Sequence, residues 1–160
     1  CWLCTLPVIA AAPATPSADS LRPGQFTWTP ELAPQGPVAV IVSLPEQRAY
    51  VYRNGVRIGV STISSGRPGF ETPSGVYTIL QKHREHYSNL YDDAPMPFMQ
   101  RLTWDGVAMH AGRVPGYPAS HGCVRLTNWD AWELAHMVKA KQTTVEFLDP
   151  GVSIADVTGA

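Results

Sequence analysis

Charge is scarce in this chain of 160 residues: Asp, Glu, Lys and Arg make up 16%, against roughly 25% in a typical soluble domain. Neither sign dominates, with 12 Lys and Arg against 13 Asp and Glu, and no basic run occurs. Phosphate backbones are bound by clustered cations, so this balance argues against nucleic acid as a partner. Long apolar runs are lacking as well. None reaches the roughly 20 residues of a membrane-spanning helix, and no transmembrane span is expected. Cysteine is nearly absent: Cys1 and Cys4 sit in the opening stretch, and Cys123 stands alone downstream. If the opening stretch is removed, no internal disulfide is possible. The lone thiol then reads as a reactive group or a small buried apolar residue.

What is present suits one domain, since 44% hydrophobic residues supply a core. Thirteen glycines and fifteen prolines punctuate the chain often, which favours a turn-rich β architecture. Residues 1–14 are apolar and end in Ala10–Ala14, as the back half of a secretory signal does. The rival reading of Cys1-x-x-Cys4 as a redox motif needs a βαβ context, and none follows. A lipid-anchored Cys1 is a third reading. Residues 15–37, rich in Pro, Ala, Ser and Thr, read as a linker that tightens near Phe26-Thr27-Trp28. The main domain is expected over 38–149, with 150–160 as a tail.

Strand patterns fill that domain. Val38–Leu44 is a β-branched run, and Gln47–Arg53 alternates with Ala49, Val51 and Arg53 on one face and Tyr50 and Tyr52 on the other. Asn54-Gly55 then leads into Val56–Ile63, the strongest short signal for a hairpin. Val76–Leu80, Leu102–His110 and Thr143–Leu148 complete the expected set. One helix is expected after Leu126. Thr127-Asn128-Trp129-Asp130 has the spacing of a capping box, and Ala131, Leu134, Ala135 and Val138 form a stripe at helical period. Trp129, Trp132 and His136 lie along an edge of that stripe and are expected to pack against the sheet.

The chemistry concentrates between Met109 and Leu126. Cys123 follows Gly122, precedes Arg125 by two places, and has His110 and His121 upstream. A free thiol is mostly neutral at pH 7, and a neighbouring imidazole can take its proton and hold the ion pair. Gly122 lets backbone amides approach a reacting carbonyl. Arg125 has the fork that binds a carboxylate through two bonds.

The block Ser120-His121-Gly122-Cys123-Val124-Arg125-Leu126, preceded by His110, resembles the signature of the YkuD-type L,D-transpeptidase catalytic domain. Gly66 and Thr72-Pro73-Ser74-Gly75 before a strand are similar to that family too, and the resemblance runs from about Val38 to Leu148. It implies a mainly β fold, a sandwich-like mixed sheet with one short-to-medium helix after the motif. It also implies an exported bacterial enzyme of the periplasm or cell wall that needs no cofactor and no metal. The implied reaction is acyl transfer on peptidoglycan. A donor tetrapeptide stem acylates Cys123 with release of D-Ala, and an amine acceptor then takes the acyl group. By the same resemblance His110 is the base, the Ala111 carbonyl orients its ring, amides around His121, Gly122 and Cys123 hold the oxyanion, and Ser120 and Arg125 shape or contact substrate. Nine residues separate His110 from Ser120, whereas many members carry a longer insert there.

Residues 82–99 leave the strand pattern, polar first and then apolar around Pro95 and Pro97. They read either as a flap beside the Cys123 groove, with Met96, Phe98 and Met99 as contacts, or as an ordinary surface excursion. His83 and His86 beside Asp92 and Asp93 lack a well-placed third ligand, so solvated side chains are expected rather than a metal site. An L,D-carboxypeptidase would share the same residues and differ only in its acceptor. A non-catalytic wall-binding module would need no thiol. A papain-like order is disfavoured, because its His follows the Cys.

Overall fold

A computed structural model describes residues 17–158. The expected signal remnant at 1–14, with Cys1 and Cys4, lies outside the described residues. Ten strands are present among them: β1 (Phe26–Trp28), β2 (Val38–Ser43), β3 (Arg48–Arg53), β4 (Val56–Ser64), β5 (Gly75–Thr78), β6 (Gln81–His83), β7 (Met99–Arg101), β8 (Ala108–Ala111), β9 (Val124–Leu126) and β10 (Thr144–Phe147). Helix α1 (Asn128–Met137) follows β9, and the short α2 (Ile154–Thr158) follows β10. The strands form one curled mixed sheet in the order β5-β10-β2-β3-β4-β9-β8-β7-β6, with β1 paired to β4. The mainly β class and helix α1 after the Cys123 block are as the sequence implies, whereas α2, in the stretch read as a tail, was not expected.

Local chemistry sets the first half. Asn54 and Gly55 both take positive φ, at 52° and 75°, which gives the tight turn joining β3 to β4. The alternation in β3 sorts its two faces as expected. Ala49 and Val51 enter the main core, while Tyr50 packs with Leu21 and Val60 on the other side. That second cluster also receives Ile154, so residues before β1 and after β10 meet on the same face. Within the stretch read as a linker, Phe26–Trp28 pairs with β4 in antiparallel register. The main core gathers Val40, Val42, Ile58, Ile63, Val145 and Phe147, all essentially inaccessible. Each such side chain contributes roughly 1.5–3 kcal/mol of burial.

β4 carries the fold toward the Cys123 region. Most of its length pairs with β3, and its last residues Ile63 and Ser64 pair with Leu126 and Arg125 of β9. β9 runs parallel to β8, and β8 runs antiparallel to β7. Helix α1 is capped by Thr127, whose Oγ1 accepts the Asp130 N–H at 3.2 Å. It buries Ala131, Leu134 and Val138 against the sheet.

Two local expectations are corrected. Trp129, Trp132 and His136 are not buried against the sheet: Trp129 is 48% exposed, Trp132 39%, and His136 is exposed as well. At 100° per residue they project from the side of α1 opposite Ala131, Leu134 and Val138. They form an exposed row, with Phe26 of β1 stacked on Trp129 at 6.5 Å, Trp129 tilted beside Trp132 at 5.5 Å and Trp132 tilted beside His136 at 4.5 Å. Leu102–His110 is also not one strand. It breaks at Thr103-Trp104-Asp105-Gly106, where Gly106 takes φ 117° and Thr103 Oγ1 accepts the Val107 N–H.

Candidate active site

The parallel pairing of β8 with β9 aligns His110 with Arg125 and Met109 with Val124. Cys123, one residue ahead of β9, therefore comes opposite Ala108. Side chains alternate along a strand, so Cys123 and Arg125 share a face of the sheet, and so do Ala108 and His110 beside them. That face is the floor of a groove of about 930 Å³, lined by Cys123, His110, Arg125 and Ala108 among others.

His110 is buried, 7% exposed, and its Nδ1–H donates to the Ala111 carbonyl at 2.8 Å. A carbonyl only accepts, so this contact places the ring proton on Nδ1 and leaves the Nε2 lone pair for another group. Burial holds the imidazole below its ordinary pKa; the Ala111 contact opposes this and the charge of Arg125 reinforces it. Cys123 is half-buried, and its Sγ–H donates to the Gly106 carbonyl at 3.4 Å. Burial pushes the thiol up, against the lowering effects of the Ala108 N–H and the charges of Arg125 and Arg101. Burial thus works against charge on both the thiol and the imidazole, since desolvation disfavours the charged form of each.

The residues before Cys123 are bolted to the end of β4. Ala119 and Ser120 amides both donate to the Ser65 carbonyl at 3.0 Å, and Arg67 N–H donates to the Ser120 carbonyl at 2.9 Å. Thr72 Oγ1 accepts the Gly66 N–H at 2.9 Å and donates to the Gly122 carbonyl at 2.8 Å. Gly66 is required at this crossing, because a Cβ there would lie 1.8 Å from the Phe70 carbonyl oxygen. The Gly66 and Thr72 features noted in sequence are therefore the struts of the Cys123 loop.

A family model described as YkuD, L,D-transpeptidase catalytic domain, matches residues 37–147. The chain belongs to this family. Among solved structures, an L,D-transpeptidase from Stackebrandtia nassauensis is 28% identical, with a TM-score of 0.64 over 72% of this chain and 58% of that one. One from Mycobacterium tuberculosis H37Rv is 25% identical, with a TM-score of 0.66 over 70% and 57%. L,D-transpeptidase 3 of M. tuberculosis, solved with a faropenem-derived adduct, is 25% identical, with a TM-score of 0.64 over 70% and 60%. The chain thus spans less than two thirds of these solved chains. No curated protein matches it.

The remaining sequence candidates divide within this transpeptidase domain. Ser120 is buried, and its hydroxyl is engaged inside the loop, donating to the Cys123 carbonyl and accepting the Gly122 N–H at 3.2 Å. His121 is exposed, and its ring lies 4.4 Å from Tyr91 in a stack and 5.0 Å from Phe70 edge-on. Tyr91 belongs to the excursion between β6 and β7, which folds back on itself through Met96 N–H to the His86 carbonyl and Phe98 N–H to the Arg84 carbonyl. Met96 and Met99 line the groove, whereas Phe98 packs on the core. Sequence reasoning did not anticipate Arg101 in the groove, the Gly106 carbonyl at Cys123 or the burial of Asp130. Asp130 is buried and accepts from Ser61 Oγ at 2.8 Å across 69 positions, a partner no local pattern announces.

Proposed function

We propose that this domain is a peptidoglycan L,D-transpeptidase in which Cys123 is the nucleophile and His110 the general base and acid. The supporting observation is their placement on one face of neighbouring parallel strands, in one groove, with Nδ1 of His110 tied back to Ala111. Since burial disfavours the charged form of each group, the proton in this reading moves during attack. Nε2 takes the thiol hydrogen as sulfur bonds to the carbonyl carbon before the terminal D-Ala of a tetrapeptide stem. The carbonyl oxygen gathers negative charge. With the Gly122 amide occupied by Ser120, the amides of His121 and Cys123 are the proposed donors to it. Collapse breaks the amide bond, His110 gives its proton to the departing D-Ala amine, and a thioester remains. An acceptor amine then attacks the thioester, His110 takes the surplus proton, and the thiol is restored. No cofactor or metal enters this scheme. The proposed site of action is the wall of an exporting bacterium.

The test is intact-mass measurement after incubation with a disaccharide-tetrapeptide and, separately, with faropenem, the parent of the adduct in the M. tuberculosis relative. An adduct on Cys123 in both cases, absent from Cys123→Ser, is expected. With the stem alone, crosslinked dimer supports transfer to an amine, whereas tripeptide and free D-Ala without dimer point to water as acceptor. A protein that forms no adduct with either reagent is not this enzyme.

A further inference from the structure

Three strands present their groove-facing residues in two cross-strand rows. β9, β8 and β7 are neighbours, with His110 opposite Arg125 and Ala108 opposite Arg101. One row therefore reads Cys123, Ala108, Arg101, and the next reads Arg125, His110, Met99. All six residues line the groove. Arg101 stands two strand spacings from Cys123, about 10 Å between backbones, and the residue between them is alanine. Nothing larger than a methyl group separates the guanidinium from the sulfur along that row.

The guanidinium is held but not neutralised. Its Nε–H donates to Gln81 Oε1 at 3.2 Å, and its carbon lies 5.8 Å from the centre of the Trp104 ring. Among the described residues no protein group accepts from either of its terminal nitrogens. Asp105 is the one acid among the described groove residues, and it sits exposed at the rim with a carboxylate oxygen engaged by Thr103 Oγ1. Arg101, Arg113 and Arg125 face the same groove. A half-buried guanidinium with its paired N–H groups unused matches a planar anion that binds through two parallel bonds.

We infer that Arg101 binds a carboxylate of the donor stem, within one residue of the bond that Cys123 attacks, and so makes the enzyme selective for donors whose carboxylates are free rather than amidated. The inference rests on the proposed transpeptidase reading and adds a specificity residue on the strand beyond His110. Two kinds of donor carboxylate would lie within one residue of that bond: the terminal one on the departing residue, and one at the end of the preceding residue's side chain in donors that carry an acid there.

Three tetrapeptide donors separate the cases: one with free carboxylates, one amidated at the terminus, and one amidated at the side-chain end. Cys123 acylation is followed by mass spectrometry for wild type, Arg101→Gln and Arg101→Lys, with melting temperature as the folding control. Wild type is expected to prefer the free donor over one amide by at least tenfold in kcat/KM. Arg101→Gln should erase that preference by raising KM for the free donor while kcat stays within about threefold, and Arg101→Lys should restore part of it. The amide that wild type rejects identifies the carboxylate that Arg101 holds. Equal use of all three donors by wild type overturns the inference and leaves the transpeptidase reading standing. So does a preference that survives in Arg101→Gln, or a parallel loss on every donor. If no donor acylates wild type, the transpeptidase reading fails and this one with it.

Discussion

Asp130 is an acid where the fold leaves little room for charge. Burial raises its pKa from the ordinary 3.8 to about 6, although its bonds from Thr127 and Ser61 pull the other way. The folded protein therefore holds this proton more tightly than the unfolded chain does. The stability it confers is fully present below about pH 4 and declines as pH rises toward about 6, because ionisation then favours the unfolded side. Asparagine has the same shape and can still accept from Ser61 and Thr127. Asp130→Asn is expected to raise stability at pH 7.5 by about 1–2 kcal/mol, and to flatten the dependence between pH 4 and 7. Urea denaturation at several pH values measures both. The local pattern revealed Asp130 as a helix-start residue and nothing more, since its burial is fixed by Ser61, a partner 69 positions away. That Cys123 and His110 meet in one groove was legible, because both belong to a motif written in residue types at short spacing. Arg101 was not, because its relation to Cys123 passes through two strand registers that no local window contains.

At the scale of elements, β9 is three residues long and has Cys123 just ahead of it. So short a strand fixes little by itself. Its precision comes from the segment between Ser64 and Thr72, which receives the Cys123 loop through backbone and hydroxyl bonds. Thr72→Val removes the two bonds of that hydroxyl and leaves the Gly66 N–H and the Gly122 carbonyl buried without partners. A loss of about 2–4 kcal/mol is expected, together with at least a tenfold slower acylation of Cys123 under the proposed mechanism, in which a small displacement of the attacking sulfur is costly. Thr72→Ser should keep most of both. Melting and single-turnover acylation check the pair. Strands β2 to β4 and helix α1 were readable from alternation, the Asn54-Gly55 turn and the Thr127 cap, all of which act locally. The helix's aromatic side was misread because the apolar character of Trp129 and Trp132 suggested burial, whereas the helical period had already committed Ala131, Leu134 and Val138 to that task. The break between β7 and β8 was missed for a similar reason. Apolar residues on both sides masked the turn at Asp105-Gly106.

Across the whole molecule, order in the sheet departs from order in the chain. Strand β10 lies between β5 and β2, parallel to the latter, and brings Val145 and Phe147 into the core. Until it arrives, β2 and β5 each present an unpaired edge and the core lacks one of its largest side chains. A chain ending at residue 142 is expected to be insoluble or to lack cooperative unfolding altogether, not to retain a fraction of its activity, and calorimetry of the soluble fraction distinguishes these outcomes. During synthesis the consequence is one of timing. Contacts that close the domain join residues about a hundred positions apart, so a nascent chain stays pliable until its last strand is made. Such late closure leaves a long interval in which the polypeptide stays extensible before Cys123 and His110 are brought into one groove.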